Sequence, residues 1–365
     1  MRKCFIIRWL MVAMALLMKG SVVACAASLN VQASAPLPVR VVVVTTFELG
    51  HDSGDLPGEF QNWVEKLPLS EGFPAPGMAH EVLRYNPNLH VLGVVSGEGP
   101  THMAEAMTAL SLDPRFDLHH AYFVLAGIAG IDPRAGTVAT AAWAEHVVNG
   151  GIAHLIDARE IPSSWSDGFT PVQGSTPDER PRPPIHSIAG DMLFTLKPSL
   201  VQWAYRLTQN VILPDNQKLI MMRQPYKNFP HALDRAHVIM GDTLSTEIFW
   251  VGARMNDWAE RWVRYWTDGQ GRMATTAEED VALCQALTLQ GKSGRVDPQR
   301  ILILRTASNF DMPPPGRQPA SMLVDEEHEE NFAGLYASTD SAYRVASPVV
   351  KELATHWGYY ETHVP

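Results

Sequence analysis

Cysteine is nearly absent. Of three residues in a chain of 365, Cys4 and Cys25 fall within the first 27 positions, so Cys284 stands alone in the remainder. One thiol makes no disulfide framework, and the fold must be held by its core. Basic residues are also few, 29 Lys and Arg against 39 Asp and Glu, a balance that argues against nucleic acid and against an anionic membrane surface as partners. Beyond the N-terminus no run approaches the ~18 consecutive apolar residues that a membrane helix needs. Several catalytic signatures are missing: HExxH, CxxC and G-x-S-x-G do not occur. The acidic run Asp325 to Glu330 has no spaced pair of histidines with it, so it reads as a solvated helix start, and no metal site is expected.

What is present suits one large α/β domain. Hydrophobic residues make up 46% of the chain and charged residues 19%, enough to bury a sizeable core and too little charge for disorder. Residues 1–27 read as an export signal: Arg2, Lys3 and Arg8, an apolar stretch from Trp9 to Leu17, then small residues ending in Ala24-Cys25-Ala26. Cleavage after Ala26 would send the chain to the periplasm or the medium; processing at Cys25 would tether it as a lipoprotein. Removing the leader takes away four basic residues and no acidic ones, leaving 25 against 39 and a net charge near −14. Residues 28–38 form a linker, and 39–365 the folded domain.

Along that domain, buried strands alternate with polar loops. Val39 to Val44 is the first strand, running into a glycine-punctuated loop that carries Glu48 and Asp52. Helical residues follow from Glu59 to Leu67. His90 to Val95 is the second strand and ends in SGEGPTH, after which Met103, Ala106, Met107 and Leu110 mark an amphipathic helix. Strand, glycine loop and helix N-terminus together present free N–H groups to an anion, with Gly97, Gly99, Thr101 and His102 in position. This loop is neither a dinucleotide fingerprint nor a P-loop, since His102 replaces the third glycine and no GK[ST] follows it. Ala121 to Leu125 is a third strand, and the small residues Ala126, Gly127 and Gly130 in the loop after it would let a flat ligand lie against the main chain. A fourth strand spans Thr137 to Trp143.

Pro171 to Pro184, with five prolines, reads as an exposed excursion. A helix from Pro198 to Gln209 and a strand from His237 to Met240 follow. Ile248, Val251, Met255, Trp258, Trp262 and Trp266 then form one stripe of a long helix, read as core or subunit interface. A short strand at Arg272 to Ala274 precedes two overlapping capping boxes, Thr275-x-x-Glu278 and Thr276-x-x-Glu279. Finally, Ile301 to Leu304 suits a strand covered on both faces. It delivers Arg305, Ser308, Asn309 and Asp311 into a short loop stiffened by Pro313 to Pro315, at the strand end where α/β sheets place their chemistry.

In order, the blocks VVVVTTFELGHDSGD, VVSGEGPTHMAEAMTAL, YFVLAGIAGIDPRAGT, DAREIPSSW, GDTLSTEIFWVG, TTAEEDVALCQAL and LRTASNFDMPPPG resemble the purine nucleoside permease family, known mainly from fungi and bacteria. That family is in turn similar to the nucleoside phosphorylase and nucleosidase superfamily. The resemblance runs from about Val39 to the C-terminus. It implies a nucleoside phosphorylase-like fold, a single α/β domain with a central mixed, twisted β-sheet flanked by helices, assembled as a homo-oligomer. A permease must cross a bilayer, which no segment here can do. The two labels are reconciled if the protein captures or cleaves purine nucleosides outside the inner membrane and a membrane transporter carries the product.

The resemblance also implies roles. Breaking the bond between ribose and purine builds positive charge on the sugar and negative charge on the base. Glu279, with Glu278 second, would hold the ribose hydroxyls and favour the cation. Asn309 would meet the purine at its N7 edge; Asn cannot deliver a proton, and Asp311 could substitute for it. Arg159, in DAREIPSSW, and Ser308 join the ligand-facing set. Inorganic phosphate is the one co-substrate the superfamily suggests, but Glu48 and Asp52 would repel it and could instead activate water or contact a ribose hydroxyl. Cleavage and binding without cleavage both remain open at this point, as does an unrelated α/β protein with similar loops.

Overall fold

A computed structural model describes residues 35–172, 174–177, 191–326 and 332–365. The expected leader, most of the linker, much of the proline-rich excursion and most of the acidic run lie outside them. Pro36–Pro365 forms one compact unit.

The elements that position the site are, in chain order, β1 (Val41–Thr45), α1 (Gln61–Lys66), β2 (Val91–Val95), α2 (Gly99–Leu112), β3 (Tyr122–Ile131), β4 (Ala141–Trp143), α3 (Ala253–Trp266), β5 (Met273–Ala277), α4 (Asp280–Lys292), β6 (Ile301–Phe310) and α5 (Phe332–Thr355). Among the described residues the main sheet has twelve strands. It is mixed. β1 lies between β2 and β3, parallel to both, and β6 is parallel to β3, while β4 and β5 run antiparallel to β6 and β3 respectively. Every residue of β1 and β2 is buried, which explains their Val-rich sequences, VVVVT and VLGVV: strands covered on both faces have no solvent side to leave polar. Helices α1, α2, α4 and α5 supply the cover, and α5 also accepts a hydrogen bond from the sheet, Thr306 Oγ1 to Ser338 O at 3.0 Å.

Two expectations about this sheet are corrected. AGIAGI and RTASNF are strand, not loop. β1 pairs with β3 only as far as Val44 and Leu125, whereas β3 and β6 continue side by side from Phe123 and Ile301 to Ile131 and Phe310. Small or polar residues are acceptable there because each strand satisfies the other's backbone groups. The ladder shifts register between Ala307 and Asn309, so Ser308 has no opposite partner and Asn309 faces Gly130. Such a bulge bends the strand and re-aims the side chains beyond it.

Smaller departures concern lengths. The fourth strand covers only Ala141–Trp143, and the strand expected at Arg272 to Ala274 extends to Ala277. Ile248 and Val251 precede α3 and do not belong to its stripe; Ile248 is 64% exposed. From Met255 onward the stripe is core. Trp258 and Trp262 are buried in a second cluster with Val148, Leu244 and Met273, Phe169 stacks on Trp258 at 4.2 Å, and Trp262 Nε1 donates to Asn149 O at 2.8 Å.

Candidate functional site

Because β1, β2, β3 and β6 are parallel, their carboxyl ends share one rim, and the polar residues of the sequence gather there. The innermost is Arg305 on β6, 1% exposed, opposite Gly127 of β3. Its Nε donates to Asp280 Oδ1 at 2.8 Å, Nη2 to Glu279 Oε2 at 2.8 Å and Nη1 to Ile128 O at 2.9 Å. A third carboxylate, Glu59, closes the cluster: Oε2 accepts Thr46 N at 2.6 Å and Thr46 Oγ1 at 2.9 Å, and Oε1 accepts Ile128 N at 2.5 Å. A Cβ on Gly127 would stand 2.7 Å from Arg305 Nη1 and 2.9 Å from Glu59 Oε1, so only glycine admits this packing. Burial pushes the Glu59 carboxyl up to about 7 against the pull of Arg305, and Asp280 is raised for the same reason. Arg305 stays charged despite its burial because Asp280, Glu279 and Glu59 surround it.

Glu279 and Glu278 separate at the head of α4. Glu279, 5% exposed, spans the cluster and the glycine loop, its Oε1 accepting Gly99 N at 2.9 Å. Glu278 remains half-buried beside a small cavity shared with Gly130, Thr246, Phe249, Asn309 and Asp311. Burial, then the neighbouring charges of Glu279 and Glu98, lift the Glu278 carboxyl to about 7. The capping boxes are not formed. Glu279 sits at the N-cap position with no side-chain cap, Thr276 Oγ1 donates to Asp311 Oδ1 at 3.1 Å, and buried Thr275 Oγ1 has no partner among the described residues. Strand pairing of β5 with β3 holds both threonines in the sheet, away from the helix end.

Asp311 lies at the far side of the cavity. It is 1% exposed; Oδ1 takes the Thr276 hydroxyl, and Oδ2 has no hydrogen-bond partner among the described residues. Burial, reinforced by the charge of Asp132, drives its pKa well above the ordinary carboxylate value, which favours the protonated form. Asn309 lines the same cavity. Its amide is held within its own strand, Oδ1 by Ser308 Oγ at 2.8 Å and Nδ2 by Phe310 O at 3.3 Å. A Cβ on Gly130 would collide with Asp311 Oδ1 and come within 3.0 Å of Thr276 Oγ1.

The remaining expected site residues stand as follows. Glu48 is a structural anchor: its carboxylate accepts the N–H groups of Gly58 (2.5 Å), Phe60 (2.7 Å) and Gln61 (2.5 Å), stitching the loop to the start of α1. Asp52 is ion-paired with Arg84 at 2.6 Å, and His80 Nε2 lies 2.9 Å from its other oxygen. Gly97 and Gly99 have φ of +91° and +85°, as the turn into α2 requires. Thr101 and His102 are exposed on the first turn of α2, and His102 Nδ1 contacts Glu98 O at 2.9 Å. Ala126 is buried in β3. Arg159 has a side chain 89% exposed and pairs with Asp157 at 2.8 Å, one element of a surface turn. No cluster of His, Cys, Asp or Glu among the described residues could hold a metal ion. Cys284 is buried in α4, and burial raises its thiol well above the ordinary value, so it is not a nucleophile.

Sequence reasoning missed Glu59 and the segment Ile248 to Trp250. Glu59 has no motif around it; the available signal was a lone carboxylate between Gly58 and Phe60 just before a buried helix face. The other segment was misread as the start of a helix.

The cavity measures about 30 Å³, well below the roughly 300 Å³ at which ligand pockets usually begin. Its wall on one side is the chain from Thr246 to Gly252, which carries Ile248, Phe249 (49% exposed) and Trp250. Among the described residues no helix is long and apolar enough to cross a membrane.

Comparison with known proteins adds the family. Among solved structures, the 5′-methylthioadenosine/S-adenosylhomocysteine nucleosidases of Neisseria meningitidis and Helicobacter pylori align with 13% and 15% identity, each at a TM-score of 0.49. They cover 86% and 85% of this chain and 99% and 98% of their own. Among curated sequences, a Candida albicans protein named purine nucleoside permease is 25% identical over 323 residues, 87% of this chain and 75% of its own length. A Schizosaccharomyces pombe protein described as a "probable purine nucleoside permease" is 28% identical over 273 residues, 73% of this chain and 76% of its own. The purine nucleoside permease (NUP) family model matches residues 38–365, and the chain belongs to that family.

Proposed function

We propose that this protein recognises purine nucleosides in the service of nucleoside uptake, and that it cleaves their N-glycosidic bond in the cavity between Glu278 and Asp311. The observation that carries the cleavage is Asp311, a buried carboxyl group that burial biases toward its protonated form, with Oδ2 unpartnered among the described residues and lining the same cavity as Asn309. A purine leaves readily only if the charge it gains is neutralised, and a positioned acid does this by protonating N7. Asp311 supplies the proton that Asn309 cannot. Glu278 takes the sugar side, where its negative charge favours the cation that develops as the bond stretches.

Entry of a nucleoside requires the Thr246 to Gly252 segment to swing outward, after which Phe249 and Trp250 cover the base. Capture and cleavage take place at this rim; crossing of the membrane belongs to a separate transporter component. The test is to incubate purified protein with inosine, guanosine and adenosine and to separate free base from nucleoside. Base release that is lost in Asp311→Asn supports the reading, and absence of base release from every purine nucleoside overturns it. The reading of capture without cleavage draws on the permease names of the fungal relatives. It would be selected by saturable binding of intact nucleoside with no product.

A further inference from the structure

The N-terminus of α2 is where this rim would hold an anion. It closely follows β2, and the positive-φ glycines 97 and 99 turn the chain into the helix, whose first N–H, that of Gly99, is directed at Glu279. We infer that this anion position is filled from within by the Glu279 carboxylate, and that the group which accepts the sugar is therefore water and not inorganic phosphate. The inference rests on the cleavage reading and names its second substrate.

Four observations carry it. The Gly99 N–H is already bonded to Glu279 Oε1 at 2.9 Å. Pro100, the next residue, has no N–H to offer. Glu98, exposed at the N-cap, and Glu278, whose Oε2 lies 3.9 Å from the point where a Cβ on Gly99 would stand, flank the same turn. Arg305 behind them has Nε, Nη1 and Nη2 committed to Asp280, Ile128 O and Glu279. A phosphate dianion brought here would meet carboxylates in place of cations. Water meets no such barrier.

The step balances without a further reagent. The water oxygen bonds to C1′ of the sugar, the C1′–N9 bond breaks with its electron pair leaving on the purine, and Asp311 protonates the purine at N7. The proton lost by water passes to Glu278. The products are free ribose and free base, after which Glu278 releases its proton and Asp311 regains one through solvent. Glu278, titrating near neutrality, is suited to accept that proton.

The decisive experiment compares inosine turnover with and without inorganic phosphate and identifies the sugar product. Equal rates with free ribose are expected. A rate that rises with phosphate, yielding ribose 1-phosphate, overturns the inference while leaving cleavage intact. Should no base be released at all, the cleavage reading fails, and phosphate occupancy is still decided by titrating phosphate alone against the protein's melting temperature and the ³¹P linewidth. No saturable change is expected; a saturable one overturns the claim that Glu279 fills the position. Glu98→Gln removes one flanking charge and leaves the Glu279 bond to Gly99 in place: its sugar product should still be free ribose, and ribose 1-phosphate from this variant would overturn the claim that Glu279 fills the position.

Discussion

Glu278 and Glu279 are adjacent in the chain, yet their carboxylates belong to different structures. Glu279 bridges Arg305 Nη2 at 2.8 Å and Gly99 N at 2.9 Å inside the protein, while Glu278 borders the cavity. The sequence alone ranked Glu279 first as the sugar-binding residue, and the geometry separates the two by test. Glu278→Gln should leave the melting temperature unchanged in mildly acidic buffer and raise it above neutrality, and reduce base release about 10²-fold or more, the range expected for loss of a positioned acid or base. Glu279→Ala should act through folding, costing about 3 kcal/mol because Arg305 loses a buried partner. Denaturant unfolding of both variants beside turnover measures the contrast.

Asp311→Asn is expected to raise stability or leave it unchanged, since a buried carboxyl is exchanged for a neutral amide of similar size. Base release should fall by roughly 10²–10⁴-fold. A variant that lost stability and activity in proportion would instead mark Asp311 as a packing residue. Calorimetry with an activity assay on the same sample distinguishes the two.

Much of this site was visible in the sequence, and what was not has a physical cause. The buried runs of β1, β2 and the first half of β6 declare themselves, because strands covered on both faces must be apolar throughout. The second halves of β3 and β6 do not. Ala126 to Ile131 and Arg305 to Phe310 are strands because of pairing with distant segments, chiefly with each other across some 180 positions of chain, as Arg305 with Gly127 and Phe310 with Ile131 show. Locally they look like loops, and long-range pairing overrides local preference. Glu59 was hidden for the same reason: its partners Thr46, Ile128 and Arg305 come from three separate strands or their ends. Glu48 misled because a carboxylate at a strand's carboxyl end resembles a ligand group, while its bonds to Gly58, Phe60 and Gln61 can be seen only in three dimensions.

Gly130→Ala tests how closely the rim is packed. The added methyl would collide with Asp311 Oδ1 and press on Thr276 Oγ1, both held by their own strands. Overpacking of this kind typically costs about 1–3 kcal/mol. The expected result is a lower melting temperature together with weaker nucleoside binding, read by thermal unfolding and isothermal titration. Gly54→Ala, where no atom lies within 4 Å of the added Cβ, should leave nucleoside binding unchanged, although its φ of +85° makes it a control for backbone strain.

The buried carboxyl groups set the pH dependence of stability. Glu59 is raised to about 7 by burial, so its neutral form is the one the fold prefers. Below the ordinary carboxylate range both folded and unfolded states carry the proton, and stability from this group is complete. As pH rises the unfolded chain ionises first, and by the time pH passes 7 the fold has lost on the order of 3 kcal/mol from this group. Glu278, also near 7, and Asp280 and Asp311, raised by burial, act with the same sign. Asp215, held low by Arg223, acts in the opposite sense, and its contribution disappears only on acidification. Melting temperature should therefore be highest in mildly acidic buffer and decline through neutrality, with a shallower decline in Glu59→Gln.

The segment that walls the cavity offers a last test, because two of its residues are too exposed to serve the core, whereas Trp250 packs edge-on against Trp258. Phe249 is 49% exposed and Ile248 64%. The segment is fixed at its ends, by Thr246 N to Ala277 O at 3.0 Å and by Gly252 N to Asp311 O at 2.8 Å, so it can swing between two anchors that both belong to the site. If it closes over a bound nucleoside, Phe249→Ala removes apolar area that is buried only in the complex. Stability of the free protein should change by less than about 0.5 kcal/mol. Nucleoside affinity should fall by roughly tenfold, the equivalent of about 1.4 kcal/mol, as an aromatic contact with the base is lost. Equal losses in the free and bound states would instead show Phe249 to be ordinary packing, and a titration of inosine against both proteins measures the difference.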